Sequence, residues 1–218
     1  MMRDLLSAKG IKLSKGTVHK YMNSELQLKS ITRKPKYKYL KVQEPYKVFD
    51  NLIKQDFVAE AHNQKWCIDF TYLRLSTGHK RYNCSIIDLY NRSVVATKNS
   101  NKIDHTLAEE TVKAAMKSAR NPEGVILHSD RGSQFTSKAF VDFCNKNGIK
   151  QSMSRAGCPY DNAPMERYFN TLKAEEINLH SYSTDEELNS AIVNYAFGWY
   201  NNLRPHSYNG NIPPRKKV

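Results

Sequence analysis

The sequence predicts an α/β protein: a mixed sheet flanked by helices, with a small helical segment in front of it. Three observations carry that expectation. Residues 65 to 98 hold three runs rich in aromatic and β-branched residues, separated by short turns, which is the pattern of an antiparallel meander. From residue 104 onward, helical periodicity alternates with short apolar strand-like runs, which is how strands and helices interleave in α/β folds. With 218 residues, 39% hydrophobic and 11% aromatic, the chain can bury a core, which excludes a wholly disordered polymer.

Residues 3 to 22 read as two short helices around a turn. Gly10 closes the first, and Ser14 caps the second, TVHKYM. Val18, Tyr21 and Met22 give the second helix an apolar face, and the pair is similar in outline to a helix-turn-helix. The stretch LKSITRKPKYKYLKVQEPYKV, residues 28 to 48, sets seven Lys and Arg against Glu44 alone and interleaves Tyr37, Tyr39 and Tyr46. Pro35 and Pro45 oppose regular structure, so the stretch reads as a linker that tracks phosphates, with Lys34, Lys36 and Lys38 among its contacts.

KWCIDFTYLRL begins the sheet. Trp66, Ile68, Phe70 and Tyr72 share one face, while Cys67, Asp69, Thr71 and Leu73 share the other. RYNCSIIDLY follows a turn at 76–79, and SVVATK follows a turn at Asn91 and Arg92. A helix runs from about Asp104, its cap, to Ser118, and Asn121, Pro122 and Gly124 break it. VILHS is a short buried-type strand that ends at Asp130. Ser137 caps a helix closed by Gly148, IKQSMS is a fifth strand, and 162–179 and 184–202 are two further helices.

Charge narrows the partner. Lys and Arg number 34 against 21 Asp and Glu, a net +13, which points to a polyanion. No apolar run approaches the roughly 20 residues that span a bilayer, and the polar start MMRDLLSAKG does not resemble a signal peptide, so a membrane partner is not expected. Cys67, Cys84, Cys144 and Cys158 lie far apart without metal-ligand spacing. They are expected to be unconnected thiols of a cytoplasmic protein.

Against this basic background three acids stand out: Asp69 in mid-strand, Asp130 just past a buried strand, and Glu166 in the first turns of a helix. Each alone is an ordinary surface, turn or dipole-complementing acid. In a sheet where the first and fourth strands are neighbours, Asp69 and Asp130 come together, and the helix can add Glu166. Three such carboxylates repel one another unless cations lie between them. Mg²⁺ takes carboxylate and phosphate oxygens, and two ions roughly 3.5–4 Å apart serve phosphodiester chemistry. Asp88 is a rival ligand, read here as structural. Asp161 is read as a cap of the Glu166 helix, and His206 as a plain surface histidine.

Several stretches resemble the DDE transposases of bacterial insertion sequences, specifically the open-reading-frame-B product of insertion sequence family three. The matching motifs are WCIDFTYL at 66–73, IIDLYNRS at 86–93, HSDRGSQFTS at 128–137, MSRAGCPYDNAPME at 153–166, TLKAE at 171–175 and WYNNLRPHS at 199–207. The resemblance implies a retroviral-integrase, ribonuclease-H-like core with a five-stranded mixed sheet. It implies that Asp69, Asp130 and Glu166 are the triad, with 35 residues between the last two, and that the triad holds two Mg²⁺ or Mn²⁺ ions. It places Lys173, seven residues after Glu166, on DNA near the cut, and Asn170 shares that helical face.

The implied activity is hydrolysis of a phosphodiester at an element end, followed by strand transfer of the new 3′-hydroxyl and DNA integration. The implied partners are terminal inverted repeats, target DNA and further copies of the chain. The expected division is 1–27, a partial helix-turn-helix-like segment; 28–60, the basic linker; 61–180, the catalytic core; and 181–218, a helical extension with a basic tail. The family's active enzyme is usually a longer fusion with an upstream frame, so a partial polypeptide acting as a DNA-binding regulator is one alternative. A ribonuclease-H-type nuclease that stops at hydrolysis is another.

Overall fold

The computed structural model describes residues 2–28 and 46–217. The N-terminal piece is a helical hairpin of α1 (Met2–Ala8) and α2 (Lys15–Lys20). Gly10, at φ +82°, makes the turn, and the Ser14 side chain accepts from the Thr17 amide at 3.0 Å. The second helix continues through Glu25 with wider i→i+5 turns. Val18 is buried, but Tyr21 is exposed, so the expected apolar face is narrower than its spacing suggested. Lys34, Lys36 and Lys38 lie outside the described residues.

The meander forms as β1 (Lys65–Arg74), β2 (Lys80–Asp88) and β3 (Val94–Ser100). Asn91 and Arg92 turn β2 into β3. The Asn91 side chain accepts from the Ser93 amide at 3.0 Å, and Arg92 takes φ +65°, a left-handed conformation rare for a side chain of its size. Next come α3 (His105–Ser118), capped by Asp104 as expected, and β4 (Ile126–Ser129). A single turn α4 (Ser133–Thr136) that the sequence did not announce precedes α5 (Lys138–Lys146), and β5 (Lys150–Met153) follows. Ser137 caps α5 through the Phe140 amide.

The strand order is β3-β2-β1-β4-β5, with the meander antiparallel and β1, β4 and β5 parallel. The first and fourth strands are neighbours, as the acid-pair argument required. Alternation along β1 sends Trp66 and Ile68 into a core with Leu107, Val112 and Phe140 of α3 and α5. It sends Cys67 to the opposite face, into a core with Met165, Tyr168 and Leu172 of α6 (Ala163–Leu172). The four cysteines are free thiols; burial pushes Cys67 up to about 12, so it is inert at neutral pH.

The last helix, α7 (Asp185–Val193), starts at a full capping box between Thr184 and Glu187. Both α6 and α7 then widen into i→i+5 turns, Lys173–Ile177 and Asn194–Tyr200. Residues 46–56 lie against the core. Ile53 is 2% exposed, and the Leu52 amide donates to Ser152 Oγ at 2.9 Å. Among the described residues no helix is long and apolar enough to cross a membrane.

Candidate active site

The site lies where the carboxyl end of β4 meets the middle of β1. Cys67 pairs with His128 in parallel register, so two residues further on Asp69 and Asp130 stand side by side on the face covered by α6. Ligands of open α/β sheets gather at such strand ends. Asp69 is half-buried, and its Oδ1 accepts from the Phe70 amide at 2.7 Å. Asp130 sits at a solvent-reached rim, and its Oδ1 accepts from the Gly132 amide at 2.9 Å. Gly132 has an ordinary φ of −58°, so an unusual dihedral is not its role. A Cβ there would stand 3.0 Å from Asp130 Oδ1 and 2.7 Å from Gln134 Oε1, so glycine lets both side chains lie this close without being displaced.

Glu166 is on the exposed first turns of α6. The electrostatics tie the three acids together. Burial first, then the Asp130 carboxylate, hold Asp69 well above the usual carboxylate range; Glu166 pushes the same way, while the Phe70 amide and the Lys173 ammonium pull it back. Although both keep an edge in solvent, desolvation by the protein around them raises Asp130 and Glu166, and the Gly132 amide pulls Asp130 back. Among the described residues no three His, Cys, Asp or Glu side chains are gathered into an ion-sized cage. The donor set nevertheless suits a hard divalent cation: Oδ2 of Asp69 and of Asp130 accept no hydrogen bond among the described residues, and every candidate ligand is a carboxylate oxygen.

Lys173 is half-buried and close enough to Asp69 to act on its charge, and Asn170 is exposed beside it. Asp88 is the structural residue expected: it is 2% exposed and accepts from the amides of Asn63 and Tyr90, both at 3.0 Å. Asp161 is not the cap that its position suggested. The following helix has no side-chain cap, and Asp161 is fully buried instead. It accepts from Asn51 at 3.0 Å, Gln55 at 2.7 Å and the amide and guanidinium of Arg155. His128, also fully buried, joins Ser152 Oγ at 2.8 Å to the Asp161 carbonyl at 2.9 Å, which sets the 161–166 turn against β4 and β5. His206 is not a plain surface residue either: its Nδ1 is buried without a partner. No local signal marks Asp161 or His206, because their surroundings come from segments far away in sequence.

The raised Asp69 carboxyl yields a testable result. In the metal-free protein its ionisation opposes folding, and that opposition grows as pH rises above the ordinary Asp value of about 3.9. Asp69→Asn is therefore expected to raise the Tm of the metal-free protein at pH 7 by about 2–4 °C, or about 1 kcal/mol. The gain should shrink toward pH 4. Paired thermal melts at pH 4 and 7 read it, and a lower Tm for the variant at pH 7 would show that the acids do not repel.

A five-stranded sheet in this order, with one acid in the middle of its first strand, a second just past the end of its fourth and a third on the helix packed on that face, defines the ribonuclease-H-like class of integrase and transposase cores. Solved structures of that class superpose on it. A chain of the simian T-cell lymphotropic virus intasome, in complex with PP2A regulatory subunit B56 gamma, gives a TM-score of 0.58 at 15% identity, covering 99% of this chain and 73% of its own. The magnesium-bound HTLV-2 integrase catalytic core gives 0.52 at 18%, covering 71% and 95%. The Mos1 transposase catalytic domain with raltegravir and Mg gives 0.53 at 12%, covering 62% and 72%.

Two family profiles, both described as Integrase core domain, match residues 59–159 and 147–214. The Escherichia coli K12 transposase InsF of insertion sequence IS3A is 36% identical over 169 residues, 78% of this chain and 58% of the relative. An uncharacterized 31 kDa protein of insertion element IS600 from Shigella sonnei is 38% identical over 167 residues, 77% of this chain and 61% of the relative. Together the two profiles span residues 59–214, so the chain belongs to the integrase core family, and it is similar to the IS3 transposases. It spans less than two thirds of the length of these relatives.

Proposed function

We propose that the chain is the catalytic part of an insertion-sequence transposase, a DDE polynucleotidyl transferase that cuts and joins DNA at element ends. The observation that carries this reading is the parallel β1–β4 register, which sets Asp69 beside Asp130 under the helix that bears Glu166. These three carboxylates are the proposed ligands of two Mg²⁺ or Mn²⁺ ions. Bound there, such ions would supply a nucleophile at neutral pH and neutralise the charge of the leaving oxygen.

The chain's own residues do the positioning. The amides of Phe70 and Gly132 each fix one oxygen of an Asp, leaving the other to point at substrate or cation. Lys173 and Asn170 would bind phosphates of the strand being cut, Lys173 by charge and Asn170 by hydrogen bonding. Hydrolysis frees a 3′-hydroxyl, and that hydroxyl attacks a second phosphodiester. The bond formed resembles the bond broken, so the barrier is lowered by alignment and electrostatics rather than by an energy-rich cofactor. Terminal inverted repeats and target DNA are the proposed substrates. Two ends must be held together, so the working form is a multimer on DNA, in the bacterial cytoplasm. Residues 1–27 and the 28–60 segment, including Lys34, Lys36 and Lys38, are the proposed DNA-tracking part; 61–180 is the core and 181–218 its extension.

The test is a strand-joining assay with purified protein and its element's ends. Joined products are expected with Mg²⁺ or Mn²⁺, and none after chelation. Cleaved but never joined products would leave a nuclease in place of a transposase, and equal product with and without chelator would remove the metal-dependent mechanism.

A further inference from the structure

A cavity of about 500 Å³ opens on the flank of α6, between Arg167 and Thr171 on the helix and the Arg204–Tyr208 turn. Its charge is one-sided. Arg92, Arg167, Arg204 and Lys217 all bear on His206, whose pKa burial and these cations push down to about 4, so the ring is neutral at pH 7. Arg204 is neutralised by Glu175, which it grips at 2.8–2.9 Å. Arg92 has only the more distant Asp88 carboxylate acting on its charge. It donates to the carbonyls of Leu89 at 2.8 Å and Phe57 at 2.9 Å, and its guanidinium lies 3.8 Å from the Tyr208 ring centre. Among the described residues neither Arg92 nor Arg167 forms an ion pair with a carboxylate.

Gathering cations beside a buried, unpartnered imidazole nitrogen costs folding energy. An anion seated among them would offset that cost. Successive residues of α6 turn by about 100°, which places Arg167 on the opposite shoulder from Lys173, with Asn170 on the crown between them. The space is large enough for a phosphate with its sugar.

We infer that this cavity is a metal-independent clamp for one backbone phosphate of the DNA strand, away from the phosphate that reacts, gripped by Arg167 and Arg92 with His206 and Tyr208 as its wall. Its effect is to fix the strand where it crosses α6, so that the reacting phosphate cannot slide along the acids. The inference rests on the transferase reading for the nature of the strand and on the cavity for the place.

The test uses the full chain in chelator, so that catalysis plays no part. Arg167 is exposed, and Arg167→Gln is expected to keep the wild-type Tm. It should weaken binding of an element-end duplex about tenfold at 0.1 M salt and lower the slope of log affinity against log salt by about 1. Arg167→Lys should recover the slope but not the whole affinity, because it lacks the planar fork. In the wild type the side-chain resonances of His206 should shift on adding the duplex, and should not shift with sodium phosphate at the same phosphate concentration. Equal affinity and slope for wild type and Arg167→Gln, with joining intact, would remove the clamp and leave the transferase standing. A His206 shift with sodium phosphate alone would mark a free-anion site and overturn the assignment to DNA. A wild-type chain that binds no duplex would remove both.

Discussion

Asp130→Asn is expected to abolish strand joining, by at least about 10³-fold, while DNA binding stays within about twofold of wild type. The substitution is nearly isosteric, and asparagine Oδ1 can still accept from the Gly132 amide that holds the carboxylate at 2.9 Å. What changes is charge. A carboxylate that would hold a divalent ion becomes a neutral amide, and losing that charge forfeits several kcal/mol of transition-state stabilisation, where 1.36 kcal/mol is a factor of ten. Binding should survive because it draws on the cationic surface rather than on the acids. Joining and gel-shift assays on one preparation separate the two, and a variant that joins at the wild-type rate would show that Asp130 is not in the site.

The second large effect is on stability. Asp161→Ala should lower stability at pH 7 by about 2–4 kcal/mol, or about 5–15 °C in Tm, because it strands several donors at once. Asn51 and Gln55, more than 100 residues earlier in sequence, both end on this carboxylate, as does Arg155. Arg155 is itself 60% exposed, so solvent screens that ion pair to about 1 kcal/mol or less, and the stranded Asn51, Gln55 and Arg155 backbone donors account for the rest. The Arg155 guanidinium holds the Asp161 carboxyl well below the usual carboxylate range, overcoming the opposing effect of burial. A depressed carboxyl stabilises the fold above its unfolded pKa of about 3.9, and that stabilisation drains away as pH falls toward the folded value. The deficit of the variant should therefore be full at pH 7 and smaller at pH 3. Denaturant titrations at both values decide it, and an equal deficit at both would mean that packing, not charge, makes Asp161 necessary.

These two residues also mark how far the sequence could be read. The strand and helix order was legible because it follows local periodicity and capping: Asp104, Ser137 and Ser14 each cap the helix that their chemistry announces. The neighbourhood of Asp69 and Asp130 was legible because alternation along a strand carries a side chain to one known face. The single turn at Ser133–Thr136 was not, since it has no side-chain cap and is too short to show a period. Asp161 was misjudged for a different reason. Its position before a helix is a strong local signal, but Arg155, Asn51 and Gln55 outcompete the helix amides for its oxygens. His206 and Arg92 were opaque because the wall around them is assembled from α6, the β2–β3 turn and the C-terminal turns, none of which is adjacent in sequence.

The strand order also bears on when the proposed site can form. A chain leaving the ribosome can close the β1–β2 hairpin at once, since those strands are joined by a short turn. Asp130 arrives beside Asp69 only when β4 pairs across the whole meander and α3, and Glu166 only later, with α6. Closing such long loops is slow. Nascent, truncated or partly melted copies thus lack a complete set of the three acids, so the proposed chemistry would belong only to molecules that have finished folding.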